Sequence, residues 1–98
     1  MNHISRFIVA PVLDQFVRFD THMIERRILR LHPIAFAMEL LEFAQTDDPL
    51  HQFSAQFARW IDREFTGQIR QTHKVISDNL GGASSQNQEW EKVAARIT

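Results

Sequence analysis

The second half of the sequence carries apolar residues at helical spacing, and this pattern constrains the fold more than any other feature. They lie mostly three or four positions apart: Leu50, Phe53, Phe57, Trp60, Ile61, Phe65, Ile69, Val75, Ile76 and Leu80. Such spacing aligns side chains along one side of an α-helix. Asp48 and Pro49 mark its start, as an N-cap followed by proline in the first turn. We predict a helix over 49–80, either continuous or interrupted at Gly67.

The first half of the sequence predicts two or three further helices. Pro11 suits the first turn of a helix that runs to Leu31. Asp20, followed by Thr21, offers an alternative in which a cap divides this segment into two helices. The next helix begins at Pro33, because the residue before a proline avoids the α conformation.

The remaining segments complete an all-α fold. Residues 1–10 are expected to be extended or frayed. The stretch 81–87, rich in Gly and Ser, predicts a loop before a short last helix over 88–97. The sequence therefore predicts a single helical domain over 1–98, built as a small bundle of four to five helices with one long helix in its C-terminal half.

Composition excludes several functional classes. The chain has no Cys, so disulfides, thiolate nucleophiles and Cys-based zinc sites are excluded. Its longest apolar run, 7–13, is far shorter than a membrane span and lacks the features of a targeting segment. We expect a cytoplasmic protein. The short chain and its preference for Arg over Lys are typical of a bacterial or phage accessory protein.

Positive charge is concentrated in residues 18–32. The arginine stripe is defined by four residues spaced four apart: Arg18, His22, Arg26 and Arg30. On a helix this spacing aligns the side chains, and Arg27 lies beside them. Four arginines against two acidic residues give the segment a charge of +2, whereas residues 33–66 carry −4. The stripe is therefore a solvated or internally paired helix face, a surface for an acidic protein, or a phosphate-binding surface.

The aromatic residues suggest both a core and an interface. Eight Phe and two Trp are many for 98 residues, and phenylalanine has no polar atom to leave in water. The aromatic stripe of the predicted 49–80 helix is core in the first interpretation. In the second, part of it around Trp60 is exposed and buries on another chain, which favours a homodimer.

Motifs for catalysis or metal binding are weak. His22 and Glu25 form an H-x-x-E pair, and Glu39 and Glu42 an E-x-x-E pair, but neither matches the order of a zinc or di-iron site. No nucleophile motif is present. We predict a non-enzymatic protein with no catalytic residues, metal or cofactor.

Two functional hypotheses follow. The first is a helical protein-interaction module or accessory regulator that dimerises or docks on a larger protein, without membrane contact. It would use Arg18, His22, Arg26, Arg27, Arg30 and Trp60 as partner-binding residues. The alternative is a nucleic-acid-binding regulator that uses the arginine stripe.

Overall fold

The computed structural model describes every residue from Met1 to Thr98 and shows four helices with a three-stranded antiparallel sheet. The elements are, in order, α1 (Arg6–Leu13), β1 (Arg18–Asp20), α2 (Thr21–Leu31), α3 (Pro33–Leu41), α4 (Pro49–Glu64), β2 (Ile69–Asp78) and β3 (Ser84–Lys92). The strands lie in the order β1-β3-β2. The predicted all-α helical bundle is therefore wrong, and the fold is α+β.

The long C-terminal-half helix ends at Glu64 instead of continuing to residue 80. The Thr66 hydroxyl donates to the carbonyl oxygens of Asp62 and Arg63, at 2.9 and 3.0 Å, and so satisfies part of the helix end. Gly67 follows with a φ of 87°, a left-handed conformation that glycine adopts without a steric penalty. The chain then leaves the helix axis and enters β2.

A β-hairpin, formed by β2, a turn and β3, replaces the predicted helical continuation, loop and last helix. The Asn79 N–H donates to the Ala83 carbonyl oxygen at 2.9 Å, and the Asn79 Oδ1 accepts the N–H of Gly81 and of Ala83. Gly82 supplies the second positive φ, 85°. The loop predicted over 81–87 therefore shrinks to a tight turn, because residues from Ser84 onward pair with β2.

The first half of the chain is also divided differently from the main prediction. Residues 6–10 belong to α1 and are not extended, since Ser5 caps a helix that contains Pro11. Asp20 ends β1 and caps α2, with its Oδ1 accepting the Met23 N–H at 2.9 Å. The cap at Asp20 is thus confirmed, but the segment before it is not a helix up to this cap, because α1 ends at Leu13 and β1 follows.

The aromatic side of α4 lies in the core. Phe53 and Phe57 are stacked with ring centroids 5.4 Å apart, and Trp60 stacks on Phe57 at 6.0 Å. Trp90 of β3 packs against Phe19 of β1 on the sheet side of the same core. One flank of α4 faces the hairpin across a cleft, and a different flank is exposed to solvent. None of the helices combines the length and apolarity that a bilayer crossing requires.

Candidate nucleic-acid interface

The outward side of α4 carries an unbroken line of polar side chains. The α4 polar face consists of Gln52, Gln56, Arg59 and Arg63, all exposed. Their spacing of four, three and four positions keeps them on one line, about a third of a turn around the helix from the buried aromatic residues. At 1.5 Å per residue the line is about 16 Å long. It presents two amide groups and two guanidinium groups to solvent.

These four side chains take no part in holding the fold together. Neither arginine belongs to an ion pair, and none of the four side chains hydrogen-bonds within the chain. Asp62, which precedes Arg63 on the helix, is engaged, because its Oδ1 accepts the Trp90 Nε1–H at 3.0 Å. The α4 polar face therefore keeps its full hydrogen-bonding capacity for another molecule.

A cleft of about 570 Å³ runs between the flank of α4 and the hairpin. Ser54 and Ala58 line its helix side, while Lys74 and Gln86 line its strand side. Leu50 lies close to the hairpin turn at Gly81, so the N-terminal end of α4 and the tip of the hairpin are neighbours. The α4 polar face does not line this cleft: Gln56 and Arg63 lie beside a different groove, which Asn2 and Glu42 also line.

The inner wall of the cleft is a buried hydrogen-bond network. His22 is only 3% exposed, and its Nδ1 lies 3.2 Å from the Ser77 carbonyl oxygen. Since a carbonyl oxygen only accepts, Nδ1 carries the proton. Asn87 Nδ2 donates to the Ser77 hydroxyl at 3.0 Å, and its Oδ1 accepts the His22 N–H at 3.2 Å. Burial lowers the pKa of His22, so the ring is neutral.

A buried carboxyl lies behind this wall. Glu25 is 1% exposed, and its Oε1 accepts the hydroxyl hydrogen of Ser54. Its Oε2 has no hydrogen-bond partner. Burial raises the pKa of Glu25 to about 7, against an opposing contribution from the Ser54 hydrogen bond.

The arginine stripe does not form a single helical line. Arg18 lies on β1, where it pairs with Glu91 at 3.4 Å, while the other three residues lie on α2. His22 is buried in the cleft wall. Arg26 donates to the carbonyl oxygen of Asp78, so it connects α2 to the hairpin. Of the four, Arg30 alone is exposed without an internal partner.

The other two predicted partner-binding residues are also engaged within the fold. Arg27 lies over the ring of Phe16 at 5.5 Å and donates to Gln15 at 3.1 Å. Trp60 is 7% exposed and packs in the core, so it presents no surface anchor. The arginine stripe does pair internally, but its partners lie on the sheet and not in the acidic segment 33–66.

The sequence contains a signal for the α4 polar face. Polar residues at 52, 56, 59 and 63 repeat at helical spacing, about a third of a turn around the helix from the aromatic stripe. The hairpin gave a weaker signal, because its strands hold few buried apolar residues.

Comparisons with protein families, curated proteins and solved structures give no match.

Proposed function

We propose that this protein binds double-stranded DNA, with the α4 polar face in the major groove. The observation that carries the proposal is the α4 polar face, whose side chains have the chemistry of base recognition and no role in the fold. Arg pairs bidentately with the O6 and N7 atoms of guanine, and Gln with the N6 and N7 atoms of adenine.

The order of elements supports this proposal. Helices α2 and α4 are packed against each other, and α4 is followed directly by a hairpin whose strand β3 pairs with β1. This connectivity resembles that of winged helix-turn-helix domains, with α3 inserted between the two helices. In helix-turn-helix proteins the second helix enters the major groove. The likeness concerns element order alone, and the functional argument rests on the side chains of α4.

Geometry favours DNA over double-stranded RNA. The major groove of B-DNA is about 12 Å wide and admits an α-helix, whereas that of A-form RNA is too narrow for side chains to read. The exposed line on α4, about 16 Å long, covers roughly five base pairs at 3.4 Å each.

The charge of the protein sets an expectation for affinity. Its net charge of −1 gives little long-range attraction for a polyanion, and the α4 polar face carries only two cationic side chains that could neutralise phosphates. We therefore expect binding to depend more on base contacts than on non-specific attraction, with a shallow salt dependence. A cytoplasmic location, where a bacterial or phage regulator meets DNA, is part of the proposal.

Selection of duplexes from a random DNA pool, followed by mobility shifts with the enriched duplex, tests the proposal. We expect an enriched motif of about five base pairs per α4 helix. Replacing Arg59 by alanine should weaken binding by about 1–3 kcal/mol and relax the preference at one position. Arg18→Ala removes the same charge from β1 and serves as the matched control. Absence of any enriched sequence, together with no shift at micromolar protein, would refute the proposal.

The interaction-module hypothesis is a second proposal, and it now concerns a surface other than the residues first assigned to it. The residues first assigned to it are engaged within the fold, as Arg26 and Trp60 illustrate. The outer side of α3, however, is apolar and exposed. This observation favours protein contact through α3.

A further inference from the structure

Helix α3 is apolar on its exposed side as well as on its buried side. The α3 apolar face consists of Ile34, Ala37, Met38 and Leu41, of which Ile34 is 75%, Met38 46% and Leu41 69% exposed. The spacing of four and three positions from Ile34 to Met38 and Leu41 places them along one side of the helix. No charged residue interrupts this side.

The charged residue of α3 is committed to the fold. Glu39 is 2% exposed, and its Oε1 accepts the backbone N–H groups of His3 and Ile4 at 2.8 and 2.9 Å. A surface helix of a globular protein normally carries polar residues on its outer side, and a helix that is apolar all round is normally buried. The α3 apolar face therefore has the character of a surface that another chain covers.

The charges that flank this face indicate which chain covers it. Arg30 and His32 lie exposed just before α3, and Asp47 follows it. The neighbouring Glu42 pairs with His3, and Asp48 caps α4. Neither Arg30 nor Asp47 belongs to an ion pair. If two copies of α3 pack antiparallel around a two-fold axis, the basic end of each meets the acidic end of the other. The two helix dipoles are then also opposed, which is the favourable arrangement.

We infer that the α3 apolar face is a self-association surface on which a second copy of this chain packs antiparallel through a two-fold axis. In this arrangement Ile34 of each protomer contacts Leu41 of the other, and Met38 lies near the axis. The inference goes beyond DNA binding and does not depend on it. Where both hold, the dimer presents two α4 helices, and its DNA site consists of two half-sites related by inverted symmetry.

Sedimentation of the purified full chain without DNA tests the inference. The wild type should sediment at twice its monomer mass of 11.5 kDa. Ile34→Lys should raise the dimer dissociation constant by more than about 100-fold, because an unpaired charge is buried. Ile76→Lys is the matched control, since Ile76 of β2 is also 75% exposed, and it should leave the constant unchanged. A monomeric wild type up to high micromolar concentration would overturn the inference and assign the face to a different protein.

A charge exchange tests the antiparallel orientation. Arg30→Asp and Asp47→Arg should each weaken self-association several-fold, because each places like charges at both ends of the interface. An equal mixture of the two variants should form heterodimers at least as readily as the wild type forms homodimers. Heterodimers no tighter than either variant alone would overturn the proposed orientation. Thermal unfolding of both variants confirms that these exposed substitutions leave the fold intact.

Discussion

Two polar regions of the molecule, the arginine stripe and the α4 polar face, resemble each other in sequence but differ in what their side chains contact. Arg18 and Arg26 bind acceptors on the sheet, and His22 is buried. The side chains at 52, 56, 59 and 63 contact no other residue by hydrogen bond or ion pair. Charge at helical spacing therefore does not by itself indicate a binding surface. Polar groups without an internal role are the more informative feature.

The comparison predicts that changes near the stripe alter stability, whereas changes on the α4 polar face alter binding. Substitutions of exposed residues without partners usually change the free energy of unfolding by less than about 0.5 kcal/mol. Substitutions in a buried polar network cost more, because each leaves another group unpaired. Stability and DNA affinity can thus be measured on the same variants to separate the two regions.

The largest stability effect is expected at Glu25, behind the stripe. The pKa of its carboxyl is about 7 in the folded chain, against an ordinary value of 4.5. Between about pH 4.5 and about pH 7, Glu25 of the unfolded chain has lost the proton that Glu25 of the folded chain retains. The free energy of unfolding should therefore fall, as pH rises from about 4.5 to about 7, by an amount on the order of 3 kcal/mol.

Glu25→Gln should remove this dependence, because the amide has no proton to lose and still accepts the Ser54 hydrogen bond. Urea unfolding at about pH 5 and about pH 8 measures this pH dependence of the free energy of unfolding. At about pH 8 the variant should be more stable than the wild type. The same pH slope in variant and wild type would show that Glu25 ionises normally in the folded chain.

A smaller stability effect is expected at His22. His22→Ala removes the Ser77 contact and leaves part of the cleft wall unpaired, at a cost of about 1–3 kcal/mol. DNA affinity, measured where the variant remains folded, should change less than about threefold. Loss of binding without loss of stability would instead make His22 part of the recognition surface.

The helical half of the fold was predictable because its signals are local. Asp48 and Pro49 start α4, and Asp20 caps α2, as their residue types predict. The aromatic stripe from Phe53 to Phe65 is core, since helical periodicity reports burial directly. These features depend on neighbours within a few positions of each other.

The sheet was not predictable in the same way, because its stability is non-local. Phe65 and Ile69 are four positions apart, so the helical pattern continues across the end of α4 by coincidence. β2 has one buried residue, Ile69, and β3 owes its core contact mainly to Trp90. Strand pairing depends on cross-strand neighbours that a local pattern does not identify. Once Arg18 lies on β1, the predicted stripe can no longer be one helical line.

The central claim is that α4 and not the arginine stripe contacts DNA, and one paired measurement tests it most directly. Arg59→Ala/Arg63→Ala and Arg18→Ala/Arg26→Ala each remove two positive charges, and their dissociation constants are compared on the selected duplex. The first should lose about 4 kcal/mol of binding free energy, close to 1000-fold, and the second less than about threefold. Equal losses, or a larger loss for the second variant, would contradict the account.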